Sequence, residues 1–137
     1  MIDIRELRCG NIVRCSVSND AGKYRVLSLN GYLNEIQLDG VRQGEWHKEN
    51  KVLPLVLTEE LLIELGFIEA NDDIYGGWLF KFSLRDYIRI RKDNQKFYYN
   101  SPFSEHVYIK SVHQLQNLIF ALTGRELILN GENLQIS

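Results

Sequence analysis

Ser111-Val-His-Gln-Leu-Gln-Asn-Leu-Ile-Phe-Ala-Leu-Thr-Gly124 reads as a punctuated helix, and with Thr58-Glu-Glu-Leu-Leu-Ile-Glu-Leu-Gly66 it decides the fold class. In the longer stretch, Ser111 and Gln114 form an S-x-x-Q capping box, where two side chains reciprocally satisfy free backbone N–H groups of the first turn. Val112, Leu115, Leu118, Ile119 and Leu122 recur at helical spacing and make one apolar side. In the shorter stretch, Thr58 is a good N-cap, and Glu59 and Glu60 sit where the helix dipole favours negative charge. Leu61, Leu62 and Leu65 form the inward stripe. Gly66 can take the left-handed position after the last turn, which lets Phe67 clasp Leu62.

Around these helices the pattern is strand-like. Asn11–Ser16, Lys23–Leu29 and Asn34–Leu38 carry Ile, Val, Leu and Tyr, with turn signals at Asn19-Asp20-Ala21-Gly22, Asn30-Gly31 and Asp39-Gly40. Short strands with Gly-bearing turns predict a compact antiparallel barrel or half-barrel of SH3-like kind, with Trp46 and Tyr32 in its core rather than on its rim. Between the helices, Trp78, Phe80 and Phe82 alternate with Leu79, Lys81 and Ser83. Tyr87–Arg91 and Lys96–Asn100 read as a hairpin around Asp93-Asn94. With those two as loop residues, Ile90 faces Phe97 and Arg89 faces Tyr98. Ile88, Ile90, Phe97 and Tyr99 then share one face, and Tyr87, Arg89, Arg91, Lys96 and Tyr98 the other. A last short strand is expected at Glu126–Leu129, with a frayed tail after Asn130.

The expected class is therefore α+β. A β-rich part over 1–57 precedes a part over 58–137 that runs helix, antiparallel strand meander, helix, short strand; the two form either separate subdomains or one continuous domain. The 137 residues suffice to bury a core without staples.

The stretches "IRELRCGNIV" (4–13), "LPLVLTEELLIELGF" (53–67) and "IKSVHQLQNLIFALTGREL" (109–127) resemble a family of small proteins frequent in gut Bacteroidetes genomes and in their phages and mobile elements. The similarity spans nearly the whole chain and is most specific in the closing segment. The family carries no assigned activity, so the resemblance implies a setting, a phage or mobile-element protein inside the cell, and no catalytic residues.

The composition, 45% hydrophobic and 25% charged, is that of an ordinary globular protein, and the net charge of −2 names no partner. Its distribution says more. Residues 59–73 hold Glu59, Glu60, Glu64, Glu69, Asp72 and Asp73 with no base, whereas residues 79–99 hold six bases against two acids. The opening Met-Ile-Asp-Ile-Arg-Glu lacks a signal-peptide pattern, and no apolar run approaches the roughly 20 residues that span a bilayer. A cytoplasmic location is expected, with Cys9 and Cys15 as reduced thiols.

Two surfaces are candidates for binding an unidentified macromolecule, protein or nucleic acid, with no membrane role and with an oligomer allowed. On the hairpin, Arg89, Arg91 and Lys96 could neutralise phosphates while Tyr87 and Tyr98 offer stacking faces; the same residue types also furnish the wet face of an ordinary sheet. On the second helix, His113, Gln116, Asn117 and Phe120 neighbour one another and could form a partner face. No cofactor is expected. Cys9 and Cys15, spaced C-x5-C, with scattered His47, His106 and His113, match no standard zinc knuckle. Glu105-His106 is a poor acid–base pair, because adjacent residues rarely aim at one point. There is no G-x-S-x-G, Walker A or H-E-x-x-H motif. The expected function is non-enzymatic binding or adaptor work, with direct nucleic-acid binding and an enzyme of unrecognised type as alternatives.

Overall fold

The computed structural model describes residues 2–16, 22–40, 44–71, 75–100 and 106–129. The expected turn at 19–22 falls mostly outside these residues, as do Asp72, Asp73, Glu105 and the tail after Asn130. The chain has mixed α and β structure in two compact units. The first comprises Met1–Val56 and Ser111–Asn117, the second Leu57–Lys110 and Leu118–Ser137. The first unit thus takes a sequence-distant piece that a single cut of the chain does not include.

In the first unit, β1 (Ile12–Cys15), β2 (Tyr24–Asn30), β3 (Glu35–Asp39), β4 (Trp46–Lys48) and β5 (Val52–Pro54) form one antiparallel sheet in the order β4-β3-β2-β1-β5. The described strands do not close into a barrel: β4 and β5 are its two edges. Val13, Cys15, Tyr24, Val26, Ile36, Leu38 and Val52 turn one way and pack with Ile2, Ile4 and Leu7. Trp46 and Tyr32 are not core residues, contrary to expectation. Strand parity buries His47 between exposed Trp46 and Lys48. Tyr32 is 95% exposed at the tip of the β2–β3 turn, where Asn30 Oδ1 accepts the N–H groups of Tyr32 and Leu33 at 3.2 Å each.

In the second unit, α1 (Glu59–Glu64) begins as its sequence dictates. Thr58 Oγ1 accepts the Leu61 N–H at 3.2 Å. Gly66, at φ 98°, ends it, and the Phe67 N–H reaches the Leu62 carbonyl at 3.0 Å. Then β6 (Ile68–Glu69), β7 (Trp78–Lys81), β8 (Tyr87–Asp93), β9 (Lys96–Asn100) and β10 (His106–Ile109) form a second antiparallel sheet in the order β10-β9-β8-β7-β6. One face buries Trp78, Phe80, Ile88, Ile90, Phe97 and Ile109. Phe67 lies 5.4 Å from Phe80 and Trp78 5.6 Å from Phe97, centroid to centroid.

The hairpin register differs from the expected one. Its loop is Asn94-Gln95, not Asp93-Asn94, so Asp93 pairs with Lys96, Arg91 with Tyr98 and Ile90 with Tyr99. Both loop residues have positive φ, 50° and 67°, as the tight turn that matches strand twist requires. Moving the loop by one residue changes every cross-strand partner by two positions, so the division of residues between the two faces survives.

Helix α2 (Val112–Thr123) buries Val112, Leu115 and Ile119, while Leu118 is half-buried and Leu122 is 45% exposed, off the expected stripe. In its cap the Ser111 N–H donates to Gln114 Oε1 at 3.3 Å. Glu126–Leu129 is not a strand. Leu127 within it is buried.

Candidate functional site

The helix face expected to meet a partner is spent inside the first unit. His113 and Gln116 are buried and Asn117 half-buried, all turned to the segment that carries Glu6–Ile12. Gln116 Oε1 accepts the Ile12 N–H at 2.8 Å and Asn11 Nδ2 at 3.3 Å, while Gln116 Nε2 donates to the Gly10 carbonyl at 3.1 Å. Asn117 Oδ1 accepts from Arg8 Nε and Asn11 Nδ2, both at 2.9 Å, and Asn117 Nδ2 donates to the Glu6 carbonyl at 2.7 Å. Asn11 Oδ1 folds the segment on itself by accepting the Arg8 N–H at 2.6 Å. The physical reason is backbone accounting: Gly10, at φ 97°, turns the chain into β1, and side-chain amides supply partners that the ladder there does not. These amides join "IRELRCGNIV" to the closing stretch.

His113 completes this latch. Its Nδ1 lies 3.0 Å from Ser111 Oγ and its Nε2 3.3 Å from Glu6 Oε2. Burial pushes its pKa below the ordinary histidine value; the hydrogen bond and charge of Glu6 oppose that shift without cancelling it. Phe120 falls in the second unit and is 40% exposed.

The hairpin residues do come together, on the outward face of the second sheet. Pairing places Lys81 opposite Tyr87, Leu79 opposite Arg89, Arg91 opposite Tyr98, Tyr98 opposite Tyr108, and Asp93 opposite Lys96. On β7–β10 this face gathers Lys81, Arg89, Arg91 and Lys96 against Asp93, in a chain of net charge −2.

Its aromatic content is greater than the hairpin alone suggests, and differently exposed. Tyr87 is 50% exposed. Tyr98 is buried, stacked on His106 at 4.3 Å with Tyr108 at 6.2 Å, so its ring is not an open platform. The open rings are Tyr75, Tyr87 and Tyr108. Tyr75 reaches the face from the β6–β7 loop and sets its ring 5.5 Å from the Arg89 guanidinium and 5.4 Å from that of Arg91. Arg89 also lies 5.6 Å from Tyr87, and Lys96 Nζ 5.8 Å from Tyr108.

Local backbone makes this arrangement possible. Gly76 and Gly77 have φ 63° and 82°, and a Cβ on Gly77 would stand 2.4 Å from the Ile90 carbonyl oxygen and 3.3 Å from Arg91 Cγ. The Gly76 carbonyl accepts from Arg89 Nη1. Arg91 is half-buried and its Nε finds no hydrogen-bond partner among the described residues. Sequence reasoning missed Tyr75 and Tyr108. Tyr108 carried a readable signal, since it alternates with buried Ile109 on a strand; Tyr75 carried none, because a loop residue has no parity to read.

Other constellations do less. Among the described residues no three His, Cys, Asp or Glu side chains are placed to hold one metal ion; Cys9 is exposed and Cys15 buried. In the first unit a cleft of about 470 Å³ is lined by Asp3, Ile4, Arg5, Gly31, Asn34 and Glu49. Its charges are engaged internally. Arg5 pairs with Asp3 at 2.6 Å, and its hydrogen bond holds the Asp3 carboxyl down to about 2; Glu49 Oε2 accepts the Ile4 N–H at 2.9 Å. Among the described residues no helix is long and apolar enough to cross a membrane. Family models, curated proteins and solved structures were each compared with the chain, and none matches.

Proposed function

We propose that this chain is a non-enzymatic binding protein that holds single-stranded nucleic acid on the outward face of its second sheet. One observation carries the reading: Arg89, Arg91 and Lys96 lie among the exposed rings of Tyr75, Tyr87 and Tyr108 on a single face. Cations neutralise phosphates, and aromatic faces stack on unpaired bases whatever their sequence. Local charge governs this contact more than the net charge of −2, because screening confines surface fields to about 8 Å at physiological salt. Resemblance to proteins of phages and mobile elements supports the same setting.

The test is fluorescence anisotropy with labelled single-stranded DNA and RNA across a salt series. Binding should weaken as salt rises, and Arg91→Gln with Lys96→Gln should flatten the log–log slope by about 0.7 per phosphate contact removed. Tight binding of polyglutamate together with indifference to oligonucleotides would make the face an acidic-protein surface and contradict the reading.

A further inference from the structure

Resting on that reading, we infer that the face takes a short window of unpaired strand, three to five nucleotides, laid obliquely from Tyr108 to Tyr87 with Tyr75 beside it. The register fixes the line. Tyr108 on β10 is level with Tyr98 on β9, which is level with Arg91 on β8. Tyr87 lies four residues before Arg91 on that strand.

Two strand spacings of about 4.8 Å and four residues of about 3.4 Å rise combine to a diagonal of about 17 Å. Tyr75, from the β6–β7 loop, adds a ring beside this span, close to both the Arg89 and the Arg91 guanidinium. A stacked strand advances about 3.4 Å per nucleotide, and bases splayed onto separate rings advance further, so about 17 Å holds roughly three to five.

The line is bounded. Past it, the outward residues of β7 and β6 are Leu79, Lys81 and Ile68, which offer one cation and no ring. Arg89 and Arg91 lie beside the Tyr75 ring and Lys96 beside Tyr108, so phosphates flanking stacked bases find cations near each ring. A paired duplex cannot use the rings, because its base faces are already stacked. The shared ligand chemistry is a flexible polyphosphate with free bases, and the sugar is not specified by these contacts.

A length series with the intact chain tests this. Oligothymidylates and oligouridylates of about two to twelve nucleotides, and a hairpin duplex of equal charge, are titrated at low salt. Affinity should rise at least about tenfold up to about five nucleotides and less than about threefold beyond, with the duplex weaker than either single strand. Tyr108→Ala, a change at a half-exposed ring, should shorten the plateau length by one or two nucleotides; a variant that lost only fold would lower affinity at every length without moving the plateau. Affinity that climbs steadily to the longest oligomer, or a duplex bound as tightly as the strand, overturns the window and leaves single-strand binding standing. No binding at any length overturns both. DNA and RNA arms that agree support recognition through base and phosphate alone.

Discussion

The Gln116 side chain accepts the backbone N–H of Ile12 at 2.8 Å, across 104 residues of sequence. The same amide donates to the Gly10 carbonyl. A helix residue thereby serves as the ladder partner of a turn, and the start of β1 depends on it. Gln116→Met keeps the volume and removes these two bonds together with the one Gln116 Oε1 accepts from Asn11 Nδ2. Leaving the buried Ile12 N–H unpaired costs roughly 1–3 kcal/mol and the half-buried Gly10 carbonyl less, so we expect a loss of about 2 kcal/mol in urea unfolding. A loss below about 0.5 kcal/mol would mean that water replaces the amide there.

His113 makes stability depend on pH in one direction. Its folded pKa lies below the ordinary value near 6.5, with burial the larger cause and Glu6 the opposing one. Below pH 6.5 the unfolded chain binds the proton more readily than the folded chain, so stability falls as pH drops from 6.5 and levels below the folded pKa. Above 6.5 this residue contributes no slope. Urea midpoints between pH 7.5 and 5 should fall for the native chain and flatten in His113→Gln.

The two-residue hairpin loop leaves stability unused. Gln95 sits at φ 67°, where a Cβ costs about 1 kcal/mol and glycine costs little. Gln95→Gly should therefore raise the melting temperature by several degrees, on the order of 1 kcal/mol, without altering oligonucleotide binding. A lower melting temperature would indicate that the Gln95 side chain stabilises the turn.

Gly77 links the backbone to the proposed site. An alanine there drives its Cβ into the Ile90 carbonyl and toward Arg91. Gly77→Ala should destabilise the second unit by at least about 2 kcal/mol and weaken oligonucleotide binding in parallel, because Tyr75 and Arg91 both lose their placement. Binding that survives at full strength in the folded fraction would remove Tyr75 from the interface.

These residues also show what could be read before coordinates. Thr58, Gly66 and Ser111 act locally, through hydrogen bonds within one turn, and sequence alone located the helix starts. Alternation located the two faces of β8 and β9, which survived an error of one loop residue because parity survives it. What could not be read was tertiary. Gln116, His113 and Asn117 look like solvated helix residues until a distant turn supplies donors and acceptors for them. Trp46 and Tyr98 inverted the expected exposure for different reasons: strand parity turned the first outward, and His106 with Tyr108 packed against the second.

An amide chemical-shift titration reads out directly whether a single strand lies on the outward face of the second sheet. With an unlabelled pyrimidine oligomer of about five nucleotides, shifts should concentrate at Tyr75, Gly77, Tyr87–Arg91, Lys96–Tyr98 and Tyr108, with the first sheet silent. Shifts confined to the first unit, or none at saturating oligomer, would contradict that placement.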